Sequence, residues 1–353
     1  MKRFVVLLLL SSFVLIALFA QAQSVSVFAT GLNRPRGLKF GPDGNLYVAE
    51  AGFFAESTTS TAGLCAQVVP PVGPWTGAFT ARISKIDATG TRTTVVEGLP
   101  SAQSSGDVLG VADVAFVGSK LYALIVGAGC SHGHAEQDNG VIRVNSDGTW
   151  TQIADLSAFY KAHPTAVIDP EDFEPDGSWY SMIAVRGNLY AVNPNGGNVE
   201  RITPEGAISR VVDISATQGH AVPTALAYHG NFFIGNLFLF PSQPGNAHVY
   251  KFTPSGEVKV WRSGLTSVLG MVVDKRDRMY VLETSTAPNG PVPFTGDIVR
   301  IDPDGTQRRF ASGLFFPTGM TLGPDGNLYV SNVGFGPPPA GLGQILKITP
   351  PQD

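Results

Sequence analysis

The chain has 353 residues with 41 Gly and 26 Pro, 15% charged residues and a net charge of −4. Few charges and many turn formers argue for an all-β protein and against a helical one. Lys and Arg form no extended run, so nucleic acid is not expected as a partner.

The chain opens on MKR, the apolar stretch FVVLLLLSSFVLIALFA and the small-x-small site Ala20-Gln21-Ala22. This reads as a signal peptide over 1–22, which implies a secreted or periplasmic protein, with an uncleaved anchor as the alternative. No later segment is apolar enough to span a bilayer, and 23–353 is expected to be one domain.

From Gly41 the chain reads GPDGNLYV, and the same eight letters return at Gly323. Related turns appear as GSKLYAL at 118, RGNLYAV at 186, HGNFFIG at 229 and DKRDRMYVL at 274. A second turn family closes alternating apolar and polar stretches at Gly90, Gly148, Gly206, Gly256 and Gly305. Hairpin signals at this spacing describe a repeated four-stranded meander, six copies of which predict an all-β, six-bladed β-propeller of antiparallel blades. The sixth copy lacks a fourth strand. The segment SVSVFATGL at 24–32 resembles the fourth strand of the fifth copy, TQRRFASGL at 306–314, and is expected to complete the last blade and close the ring.

Strand direction alternates, so the two hairpin families emerge on one face and the longer loops on the other. The loop face carries Phe53, Phe54, Trp75, Phe79, Phe159, Tyr160, Phe173, Phe238, Phe240, Phe294, Phe315, Phe316 and Phe335. Aromatic loops on a rigid ring suit a binding site, or else give the loops a small core of their own. Cys65 and Cys130 fall in corresponding loops of adjacent blades, which in an exported chain favours a disulfide over a metal site.

Polar residues end the second strand of most blades: Glu50, Asn193, Asn236, Glu283 and Asn332. If they converge, Glu50, Asn193, Asn236 and Glu283 could hold a divalent cation such as calcium through oxygen ligands. The bland alternative is that each satisfies backbone groups of its own blade. His132 and His134, two apart in a glycine-flanked loop, could pair as ligands or lie in a mobile surface loop. His220 and Arg36, with Arg34, enter near the channel mouth and could meet an anionic group or act in proton transfer. DPEDFEPD at 169–176 lacks calcium-loop spacing and reads as a solvated connection.

The segments GLNRPRGLKFGPDGNLYVAEAG and ARISKIDATGTRTTVVEGLPS resemble the start of the ScyD/ScyE family of exported propellers, and HAVPTALAYHGNFFIGNLFLFPSQPGNAHVYKFTPSGE resembles its fourth blade. The resemblance implies a secreted, six-bladed, TolB-like propeller of NHL type. The family is named for scytonemin, an indolic and phenolic pigment, so an aromatic ligand would suit the aromatic face. Other six-bladed propellers include gluconolactonase-like hydrolases and quinone-dependent sugar dehydrogenases. The lactonase pattern has Glu at the start of the first innermost strand, where this chain has Arg36 and Gly37.

Three functions follow as expectations. The first is binding of a small, partly aromatic molecule over the channel on the loop face, and the second is metal-assisted hydrolysis or isomerisation. The third is a platform for protein partners.

Overall fold

The computed structural model describes residues 24–350, apart from 105, 239–240, 254–256 and 337. The expected signal peptide over 1–22, the turn glycine Gly256 and Phe240 lie outside the described residues. Six antiparallel sheets surround a central channel, five of four strands and one of five. Their innermost strands are Pro35–Phe40, Val111–Val117, Ser181–Val185, Pro223–His229, Val268–Val273 and Gly319–Leu322. Blade one gains its fifth strand from Val108–Leu109, which pairs with Ala102 and Gln103 on the way to blade two.

The repeated octapeptide works identically at both places. Gly44 and Gly326 both take φ +78°, a left-handed turn that Gly adopts without a Cβ penalty. Asp43 accepts from the Asn45 amide and from the Tyr47 hydroxyl at 3.0 Å, and Asp325 accepts in the same way from Asn327 and Tyr329. Each tyrosine then packs edge-on against a phenylalanine of the next blade: Tyr47 on Phe116, and Tyr329 on Phe40. The eight letters therefore encode both a turn and a blade-to-blade contact.

Apolar side chains are buried between blades rather than within one. Ile83, Leu99, Val114 and Leu124 illustrate the sequence pattern of inward and lateral faces, and six such cores lie between successive sheets. Burial of this kind needs a neighbour on each side, which is why one meander cannot stand alone.

Ser24–Leu32 is the outermost strand of the sixth sheet, antiparallel to Gly343–Thr349, with Ser24 opposite Thr349 and Leu32 opposite Gly343. Ala29 and Leu32 enter a core with Leu38 and Val48 of blade one and Tyr329 of blade six. Residues at both ends of the chain thus share one hydrophobic layer.

Cys65 and Cys130 form a disulfide with Cα atoms 6.3 Å apart, tying the loops of blades one and two. No helix among the described residues is long and apolar enough to cross a membrane.

Candidate functional site

The polar residues at the ends of second strands turn back into their own blades. Glu50 accepts from the Asn33 amide and forms a buried ion pair with Arg82 at 2.8 Å, while Glu283 accepts from the Thr266 amide. Asn332 accepts from the Phe315 amide at 2.9 Å, and Asn236 donates to the Ala221 carbonyl at 2.7 Å. In all four blades the next residue, Arg34, Ser267, Phe316 or Val222, takes a left-handed φ of 43–50°. The polar side chain therefore latches a strained lead-in to the innermost strand. Asn193 departs from the pattern by accepting from Gly196, with its Nδ2 buried and without a partner.

These bonds oppose the expected calcium-type cluster. Among the described residues no group of three or more His, Cys, Asp or Glu is placed to hold a metal ion. The proposed donors Glu50, Asn193, Asn236 and Glu283 direct oxygens to separate backbone amides, so they do not fit one shared cation.

The histidines are not on a mobile surface loop. His132 and His134 are buried, but their rings serve different partners: His132 Nδ1 meets the Ala128 carbonyl and Nε2 meets Glu174, whereas His134 Nε2 meets the Ser101 carbonyl. The acidic stretch is a solvated connection only at its start, where Pro170 and Glu171 are exposed. Glu174 and Asp176 are buried, Asp176 accepts from the Ser131 amide and hydroxyl and from Lys161, and Asp172 pairs with His220 at 2.8 Å. This acidic segment folds down onto the disulfide-bearing loop and fixes it. The reading from sequence failed because the charges are far from their partners in the chain.

At the loop end of the channel lies a polar cluster of which the sequence reading named only Arg36. Arg36 pairs with Asp107 at 2.6 Å and donates to the Val108 carbonyl. Tyr180, from the start of blade three, donates to the Thr318 carbonyl of blade six at 2.8 Å. Burial raises its hydroxyl pKa to about 12, which keeps it a neutral donor. Asp113 of blade two accepts from the amides of Val114 and Met182, both at 2.8 Å. Burial nevertheless pushes its carboxyl up to about 6, against the pull of Lys39 and those amides. A Cβ on Gly37 would fall 1.9 Å from Asp113 Oδ1, so a lactonase-type side chain cannot stand there while Asp113 does. The signal that could have found Asp113 is a lone carboxylate inside the apolar strand VADVAFV.

Aromatic side chains flank this end. Phe294, Phe315, Phe316 and Phe335 form an edge-to-face chain with centroid steps of 4.8, 5.1 and 5.5 Å. Phe316 lies two residues before Thr318, the acceptor for Tyr180, which places the chain of rings beside the mouth. Phe294 is 66% exposed and Phe79 52%. The Arg34 guanidinium stacks 4.6 Å from the Phe54 ring and donates to the Gly336 and Pro338 carbonyls, joining the loops of blades one and six.

The chain matches no protein-family model and no curated protein. Solved structures do resemble it. A gluconolactonase from Xanthomonas campestris aligns at TM-score 0.58 and 10% identity, over 94% of this chain and 91% of that one. The PQQ-bound aldose sugar dehydrogenase of Streptomyces coelicolor aligns at 0.56 and 17%, over 93% and 98%. A glucose dehydrogenase aligns at 0.58 and 15%, over 92% and 99%. At such identities the likeness shows the fold alone, that of a six-bladed β-propeller similar to those of gluconolactonase and sugar dehydrogenases.

Proposed function

We propose that the chain is an exported propeller of the ScyD/ScyE kind that binds a small, partly aromatic molecule on its loop face. The observation that carries this reading is the chain of rings from exposed Phe294 to Phe335 beside the Arg36–Tyr180 cluster. Edge-to-face phenylalanines offer flat apolar walls, and the buried Arg36 guanidinium beside the Tyr180 hydroxyl makes the floor polar. A disulfide across two of the loops agrees with an exported protein. The test is calorimetric titration with a panel of indoles and phenols. Binding by at least one, weakened about tenfold or more in Phe294→Ala, supports the reading. Indifference to the whole panel overturns it.

A second reading, a lactone hydrolase, is favoured by Asp113 and by the gluconolactonase likeness. Asp113 has its carboxyl raised to about 6 within the channel, a value suited to a general acid or base near neutral pH. Turnover of gluconolactone that disappears in Asp113→Asn would establish it. Absence of turnover in the wild type removes it without touching the binding assay.

A further inference from the structure

The hairpin end of the channel holds more space than the constriction beside Tyr180. A cavity of about 400 Å³ is lined by the last residues of all six innermost strands, among them Lys39, Phe116, Val185, Tyr228, Val273 and Leu322. Towards the loop face the channel narrows to about 20 Å³ between Asp113, Tyr180 and Met320, room for about one water. The cavity is therefore a blind pocket, reached from the hairpin face and separated from the loop face by the Tyr180 crossing.

Its lining is chemically lopsided. Lys39 is the one charged side chain on the wall, and among the described residues it makes no hydrogen bond or ion pair. Lys39 attracts the Asp113 carboxylate, but the oxygens of that group are already taken by the Val114 and Met182 amides and the Ser181 hydroxyl. The wall mixes apolar side chains with polar backbone atoms of the strand ends, and a half-buried ammonium there favours an incoming anion, while the pocket's size suits a fragment-sized molecule. We propose that this pocket is a second binding site, for a small monocarboxylate with an apolar body, whose carboxylate pairs with Lys39 while the body lies against the strand ends. This inference stands apart from the loop-face reading.

The probe is decanoate, titrated calorimetrically into the mature protein beside decanol and decyltrimethylammonium. Decanoate is expected to bind at one site, at least about tenfold more tightly than decanol, as a charge-assisted hydrogen bond would give. Lys39→Gln should bring decanoate down to the level of decanol, and Lys39→Arg should restore most of the difference. No decanoate binding up to about 1 mM overturns the proposal. So does equal binding of the alcohol or the cation, a comparison that needs no variant. Loss of decanoate binding in Phe294→Ala would place the acid on the loop face and overturn it as well.

Discussion

Tyr180 reaches across the channel from blade three to donate its hydroxyl hydrogen to the backbone carbonyl of Thr318 in blade six, at 2.8 Å. The two blades stand opposite each other in a ring of six, so one side chain braces the full width of the channel. It also marks a constriction lined by Asp113 and Lys39, beyond which the channel opens at the hairpin end, where Lys39 is the one charged side chain of the lining.

Tyr180→Phe removes the brace and leaves the Thr318 carbonyl without its donor. Such a loss costs about 1–3 kcal/mol when the acceptor stays dry, less if water replaces the hydroxyl. The check is a urea titration of both proteins, with a lowered midpoint and an unchanged slope expected.

Reduction of Cys65–Cys130, or substitution of both by Ser, releases a loop of 65 residues. On the chain-entropy account this lowers stability by about 4 kcal/mol. The loops should loosen first, since Thr61 donates to the Cys130 carbonyl and Thr59 to that of Gly133. Thermal melting with and without reductant, and proteolysis within 55–75, would measure both effects.

Deleting Ser24–Leu32 leaves Gly343–Thr349 as an unpaired edge and uncovers Leu38 and Tyr329. An exposed apolar edge strand invites pairing with another chain. We expect the truncated protein to aggregate or to form larger species in size-exclusion chromatography, and a synthetic peptide of residues 24–32 to restore the monomer-sized peak. A truncated chain that stays monodisperse with unchanged melting would show that this strand does not close the ring.

Burial raises the carboxyl of Glu283 from 4.5 to about 7, and Glu200 moves the same way for the same reason. The folded state then holds these protons more tightly than the unfolded chain does. Their contribution is fully present below about pH 4.5 and is lost as pH rises through about 7. Stability should fall across that window, and Glu283→Gln should flatten the fall and raise stability at pH 8 by about 1–3 kcal/mol. Melting temperatures of the two proteins from pH 4 to pH 8 would decide the point, with parallel curves counting against it.

Local chemistry carried the repeats into the sequence. Gly44 and Gly326 had to be glycines for a left-handed turn, Asp43 and Asp325 had to bond the residues after them, and period-two strands had to bury alternate side chains. Such rules act over a few residues, so the six meanders, the two faces and the cysteine pair could be read without coordinates. Glu50 and Asn332 were visible as a pattern, but only the fold showed that each latches a backbone amide 17 residues away.

What the sequence left undecided depends on blades meeting across a ring. Asp113 and Gly37 are 76 residues apart, yet one fits only because the other has no side chain, and Glu174 meets His132 over 42 residues. Lys39, in the innermost strand of blade one, becomes the one charged side chain on the wall of a pocket only when six strand ends come together. Desolvation and charge pairing are set by neighbours in space. The sequence alone therefore determined the blades and their turns, whereas tertiary packing decided which polar groups are latches, which form the channel floor and where the empty volume lies.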